Sequence, residues 1–433
     1  TATVRKTEHE CEISWSINDE EVATDVESIE FEATEVGTYR IVATATNPDG
    51  EASDSVTIKV VNAEDLDLIY EFEATEYHIT EGRTLIIRPS AISKSEGVTF
   101  LWILDGEEQG ADTNMPHFLF NSSEVGKHTL EVKATTYINT PIEISHTFSV
   151  EVIEEGKYRR ERTAASASVF SEVVEYLPAP GQFIGDMKTG GFTGEELTAK
   201  DARAYAESRL RQNNWVSLGA FGGSIVVVFD HSIANNDDYD FAIKGNSFDG
   251  SSEPGVVWVM QDENGNGLAD DTWYELKGSE TGLDTTYQEY EVTYYRPTSS
   301  GMPVAWSDNK GGSGTIDYLA SFHNQPSYYP TWITEDSYTL RGTRLEARNY
   351  DKSGNGSMWI QPAYDWGYVD NYSERDCVDA ENSFDISNAI DAMGQSVELD
   401  YIDFVKVQSA VQAKRGCLGV LSTAVCNSVE IVK

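Results

Sequence analysis

Basic residues are scarce in this chain. Only 31 Lys and Arg stand against 73 Asp and Glu in 433 residues, a formal net charge of −42. Phosphate binding needs a basic footprint, so nucleic acid is excluded as a partner, and an anionic membrane surface is disfavoured on the same ground. Apolar runs near 18 residues are missing, so no segment reads as a membrane-spanning helix. No charged-then-apolar leader opens the chain, and any signal peptide is expected to have been removed or never present. The four cysteines, Cys11, Cys377, Cys417 and Cys426, form no C-x-x-C pair and have too few neighbouring histidines for zinc. Cys417 and Cys426 either bridge or stay as buried free thiols. After residue 153 the only histidines are His231 and His323, and neither lies in a metal-protease or serine–histidine signature. No glycine loop joins a strand to a helix to cradle phosphate. The expectation is therefore a chain without catalytic residues, although acidic residues are too numerous for counting alone to exclude a glycosidase pair.

What is present is enough apolar material (39% of residues) to build cores in two or three domains of about 100–200 residues each. The first 153 residues repeat. ISWSINDEE around Trp15 matches FLWILDGEE around Trp102, and Glu35-Val36-Gly37 matches Glu124-Val125-Gly126. After each glycine a period-2 strand follows, Tyr39-Ile41-Ala43-Ala45 in one copy and His128-Leu130-Val132-Ala134 in the other. Each copy closes on a second alternating strand, Val56-Ile58-Val60 and Phe148-Val150-Val152. Such alternation sets one apolar face against a facing sheet and one polar face in water. The Asn47-Pro48-Asp49-Gly50 stretch is a turn signal between strands. Through the Trp, the E-V-G turn and the G-x-Y-x-I-x-A strand, both copies resemble PKD and related immunoglobulin-like modules. The second copy departs in having His128 where the first has Tyr39, and the first lacks an opening strand, as if the chain began inside a longer precursor.

The fold class expected is mainly β: two immunoglobulin/PKD-like β-sandwiches at 1–62 and 63–153, then a larger jelly-roll-like β-sandwich at 164–433. A charged joint at 154–163, EEGKYRRER within it, is the expected linker. The front holds 30 acidic and 9 basic residues in 153, which reads as a solvated spacer. In the large domain Ile225–Phe229, Gly255–Met260, Tyr287–Tyr295 and Ile402–Val407 read as strands, and Thr198–Arg211 as one helix with a loose capping pattern at Thr198 and Asp201.

Two segments bear on function. In Asp262–Asp271 (DENGNGLADD), Asp262, Asn264, Asn266, Leu268 and Asp270 take the odd positions of a calcium loop, with Gly267 at the sixth. The twelfth position is Trp273 rather than an acid, so Asp271 or Glu275 would supply the last ligand. The loop is either a structural Ca2+ site or a plain turn with solvated acids. The second signal is aromatic density: 13 aromatics fall in the 67 residues from Trp306 to Tyr372, against 11% for the whole chain. Interleaved with amides, they suit a recognition surface. The expected ligand-binding residues are Trp306, His323, Asn324, Gln325, Tyr328, Tyr329, Trp332, Tyr364, Asp365, Trp366, Tyr368, Asn371 and Tyr372. The alternative is that several of these rings fill the core, the expected place of Trp359.

Leu218–Asn235, Asp238–Ser279 and Asn382–Ala410 resemble the C-terminal domain of cobamide (vitamin B12)-binding surface lipoproteins of gram-negative gut commensals. That resemblance implies a cell-surface protein that captures corrinoids such as cobalamin and passes them to an outer-membrane transporter complex. No lipidated N-terminal Cys is present, since Cys11 is internal, and the mode of anchoring stays open. A glycan-binding module, an adhesin or scaffold, and a glycoside hydrolase are the competing expectations.

Overall fold

The computed structural model describes residues 11–26, 28–33, 35–48, 50–60, 68–136, 141–185, 196–416 and 419–430. The possible Cys417–Cys426 bridge therefore lies outside the described residues, as do Asp49 of the first turn and the start of the first module. The protein is mainly β. Its chain divides into two compact units: Thr1–Thr75 with Ile87–Phe118 and Thr129–Ser149, and Glu76–Ile86 with Leu119–His128 and Val150–Lys433.

In the first unit, β1 (Glu12–Ile17), β2 (Glu20–Thr24), β3 (Gly37–Asn47) and β4 (Gly50–Val60) form an antiparallel sheet in the order β2-β1-β3-β4. Ile13, Trp15 and Ile41 make its core, as the alternation requires. Further along, β5 (Val98–Leu104) pairs with β6 (Gly126–Thr136) around the fully buried Trp102, and β7 (Glu143–Ile153) follows in the chain. The internal repeat is visible at the level of single bonds. Trp15 Nε1 donates to Val26 O and Trp102 Nε1 to Met115 O, both at 2.9 Å. Tyr39 donates its hydroxyl to Glu35 O at 2.8 Å, and His128 Nε2 contacts Glu124 O at 3.0 Å. The His in the second copy thus does what the Tyr does in the first: it ties the strand start to the carbonyl four residues back.

The second unit is built on a six-stranded antiparallel sheet. Its strands are β8 (Glu172–Leu177), β9 (Ser224–Ala234), β11 (Gly255–Met260), β12 (Trp273–Leu276), β19 (Ala389–Ile390) and β20 (Tyr401–Ser409), in the order β8-β9-β20-β11-β12-β19. Beside short two-stranded sheets, two four-stranded ones lie in the same unit. One contains β10 (Phe241–Lys244) between β18 (Glu381–Phe384) and β21 (Asn427–Glu430), with β17 (Cys377–Val378) at its edge. The other has the order β15-β14-β13-β16, from β13 (Tyr287–Tyr295), β14 (Val304–Asp308), β15 (Ser313–Ile316) and β16 (Ser337–Arg344). One core joins the three larger sheets, with Ile225, Val227, Val257 and Val405 from the first, Phe241 and Phe384 from the second, Tyr290, Val292 and Leu340 from the third.

The helix α1 (Ala199–Arg211) begins at Thr198, whose side chain and that of Asp201 cap each other's backbone N–H reciprocally. It buries Ala202, Ala206 and Leu210. The stretch read as a linker is built into this unit rather than left as a free joint. Arg160 bonds Asp403 Oδ1 through Nη2 at 2.9 Å and Phe229 O through Nη1 at 3.0 Å. Glu155 pairs with Arg83 and accepts from Gln261 Nε2 at 3.0 Å. Buried charges need such partners. Trp102→Ala should lower unfolding free energy by about 3–5 kcal/mol, read from urea denaturation of the first unit's transition.

Candidate functional site

The aromatic segment does not form the exposed platform expected of it. Tyr328, Tyr329, Trp332, Tyr364 and Tyr368 are all buried, as are His323, Gln325 and Asn371. The tyrosine hydroxyls and the Asn371 amide are used up inside. Tyr328 donates to His323 O at 2.7 Å, Tyr329 to Glu335 O at 3.1 Å, and Tyr364 to Glu346 O. The Tyr368 hydroxyl accepts from Glu280 N at 3.0 Å, and Asn371 bonds both backbone groups of Tyr364. Loop carbonyls and amides have no ladder partners, so buried hydroxyls and amides satisfy them while the rings fill the core. Trp306 and Trp366 are half-buried, and only Asn324, Asp365 and Tyr372 are exposed. Trp366 carries Arg375 over its ring at 4.7 Å and lines an acidic hollow of roughly 290 Å³ with Asp237, Asp238, Asp376 and Asp385.

The calcium-type loop closes on itself. Asp262 accepts from Gly265 N at 2.7 Å and Gly267 N at 3.0 Å. Asn264 donates to Asp270 and Asp271 at 3.2 and 3.1 Å, and Asn266 donates to Asp270 at 2.9 Å. The side-chain oxygens of Asn264 and Asn266 accept from Asn266 N and Leu268 N. Gly265 and Gly267 at φ +73° and +74° permit the tight winding. Among the described residues no group of three or more His, Cys, Asp or Glu is disposed to hold a metal ion.

A second cavity, with aromatic walls, lies elsewhere in the same unit. A pocket of roughly 160 Å³ is walled by Phe183, Tyr205 and Trp215, with Arg209, Ser217 and Asn246 around it and Glu253, Arg415, Ser422 and Ala424 below. None of these ten residues was among those expected. Helix α1 places two of the walls. Tyr205 projects from it. At its end Asn213 takes a left-handed turn (φ 54°), and Arg209 Nε holds the next loop by Trp215 O at 3.1 Å. Trp215 is thereby left 52% exposed. Phe183 is set by two residues that were expected: His323 packs edge-on to its ring at 4.6 Å, and Gln325 Nε2 donates to Gln182 O and Ile184 O on either side. Those two act behind the wall.

The floor is an ionic cluster. Glu253 Oε1 meets Arg415 Nη1 at 3.2 Å and accepts from Ser422 N at 3.1 Å. Beneath it Asp370, fully buried at φ 57°, accepts from Asn246 N through Oδ1 at 2.8 Å and from Ala424 N through Oδ2 at 2.9 Å. A Cβ on Gly245 would fall 2.5 Å from Asp370 Oδ1, so the chain passes only as glycine. Burial, then the Glu253 charge, pushes the Asp370 carboxyl up to about 8, against the two backbone donors and Arg415. Burial raises Glu253 as well, opposed by Arg415 and the Ser422 N–H.

No protein-family profile and no curated protein matches this chain. Among solved structures, fibronectin(III)-like modules of Clostridium thermocellum CbhA align over 37% of this chain and 87% of theirs, at 17% identity and a TM-score of 0.17. Drosophila N-cadherin EC1-4 aligns over 34% of this chain and 42% of its own, at 16% identity and 0.18. A quinonprotein alcohol dehydrogenase-like protein of Bacteroides thetaiotaomicron aligns over 57% and 49%, at 11% identity and 0.16. Likenesses of this size identify no ligand and no partner.

Four buried carboxyls bind protons more tightly than in an unfolded chain: Asp370 and Asp271 at about 8, Glu263 and Glu275 at about 7, burial being the first cause in each. Between about pH 4 and 8 the folded state therefore holds more protons, and stability falls as pH rises, by up to about 1.4 kcal/mol per pH unit for each titrating group. Melting temperature should be higher at pH 5.5 than at 8.5. A flat profile across that window would contradict the buried placement.

Proposed function

We propose that this chain is a non-catalytic surface protein that captures a corrinoid such as cobalamin for delivery to an outer-membrane transporter. The corrinoid comes from the sequence resemblance of the large domain, and the observation that supports a binding role is the half-exposed Trp215 at the mouth of a pocket with a polar floor. A cavity of roughly 160 Å³ is the size that holds one six-membered ring. It is too small for a macrocycle and suited to one of its arms. The broad face of the ligand would rest outside, against Trp215. A near-neutral ligand meets no penalty from the acidic surface. Among the described residues no helix is long and apolar enough to cross a membrane, and residence at the cell surface is part of the proposal.

A glycan is the second reading, because an exposed Trp beside a one-ring pocket carrying a carboxylate also suits a sugar. In either case Asp262, Asp270 and Asp271, with Asn264 and Asn266 turning their oxygens inward and Leu268 lending its carbonyl, are proposed to take Ca2+ as a structural staple.

Calorimetric titration with cyanocobalamin should give saturable heat at micromolar concentrations. Trp215→Ala should weaken binding by about tenfold or more, the equivalent of about 1.4 kcal/mol of ring burial. Absence of heat would refute the corrinoid reading and leave a glycan array to test the other. Millimolar CaCl2 should raise the melting temperature relative to EDTA, by about 2.7 kcal/mol of stability at 100 times the dissociation constant. Asp262→Asn should remove that difference.

A further inference from the structure

The pocket floor has a pattern that specifies more than size. Glu253 uses one oxygen, Oε1, for both Arg415 and Ser422 N. Its second oxygen has no partner among the described residues, and it is not among the buried unpaired atoms, so it faces open space. The Arg415 guanidinium makes one side-chain contact, Nη1 to Glu253. Its remaining side-chain donors have no partner among the described residues, and of these Nε is buried. The second Glu253 oxygen and Arg415 Nη2 are therefore an unused acceptor and donor on the two partners of one ion pair, both lining the cavity.

We propose that this floor binds a primary carboxamide, the amide oxygen accepting from Arg415 and the amide NH2 donating to Glu253. The inference rests on the ligand-binding reading of the same pocket and names the group that reading leaves open. Charge favours an amide over its relatives. A carboxylate would accept from Arg415 but meet Glu253 as a like charge, and an ammonium would do the reverse. At the floor the Glu253 and Arg415 charges offset each other, while Arg209 higher on the lining spends its Nε on Trp215 O. A primary amide carries its own donor and acceptor on one carbon, matching both halves of the pair at once. The aromatic walls of Phe183, Tyr205 and Trp215 then take whatever apolar body adjoins the amide.

Benzamide, one ring with one primary carboxamide, is the simplest probe. Ligand-observed NMR with the full chain should show benzamide binding, with benzoate and benzylamine weaker by about tenfold or more, the loss expected when a hydrogen bond to a charged group is replaced by repulsion. Glu253→Gln, which puts a donor where the acceptor stands, should weaken benzamide similarly. Trp215→Ala, on an exposed side chain, provides the same check if Glu253→Gln does not fold. Equal binding of benzoate or benzylamine, preference for methyl glucoside over benzamide, no benzamide signal, or binding insensitive to the variants would each overturn the proposal. Cyanocobalamin titrated in parallel separates the two readings. Cobalamin bound with benzamide rejected removes only the carboxamide pairing, and the reverse outcome removes only the corrinoid.

Discussion

The pocket exists because one buried aspartic side chain holds three separate segments together. Asp370 bonds the backbone N–H of Asn246 and of Ala424, while its own backbone carbonyl accepts from Glu253 N at 2.9 Å. Those contacts bring Glu253, Asn246 and Ala424 to one place from distant parts of the chain. The arrangement is strained: a non-glycine residue at φ 57° costs of order 1 kcal/mol and persists only where its surroundings over-determine it. Gly245 supplies the clearance and the two N–H donors supply the compensation. Without Asp370 the Glu253–Arg415 pair would lose its footing.

The same logic runs through the rest of this acidic chain. With so few cations, a carboxylate that goes inside must find a guanidinium, a hydroxyl or backbone N–H groups. Asp403 takes Arg160, Ser232 and the Asp262 N–H. Glu263 takes Thr80 through both N–H and hydroxyl at 2.8 Å. Glu275 takes Thr343, and Lys406 lies against the rings of Trp258 and Trp273 at 5.1 and 4.3 Å. The few cations inside are therefore concentrated where buried acids need them, and of the two that line the cavity, Arg209 and Arg415, Arg415 is the one paired with a buried acid.

The sheet strands were legible because apolar runs and alternation are local properties. Gly255–Met260 and Tyr287–Tyr295 have the bounds their patterns imply, and α1 starts where Thr198 and Asp201 signal it. The paired tryptophans marked the repeat for the same reason. The aromatic segment was misread because composition gives density and not direction. Tyr328 or Tyr368 beside Pro and Gly looks like a surface ring until its hydroxyl is seen to satisfy a loop carbonyl or amide. The pocket was invisible for a different reason. Glu253, Asp370 and Arg415 are unremarkable in their own neighbourhoods, and only tertiary contact makes them a cluster. The one local signal was Trp215, a large ring after the polar run Gln212-Asn213-Asn214 at a helix end.

A floor of this kind favours discrimination over raw affinity. An apolar pocket of one-ring size separates ligands by a methylene at a time, each worth only about 1–3 kcal/mol. A buried acceptor beside a buried donor acts more sharply, since a guest lacking either complement leaves a desolvated charge unmatched. The aromatic walls would then set how tightly a ring is held, and Glu253 with Arg415 would decide which substituent it must carry. Because that pair is internally neutral, its preference is insulated from the −42 of the whole molecule, whose field decays over about 10 Å at 0.1 M salt. A strongly acidic protein can in this way hold an uncharged polar guest without selecting cations.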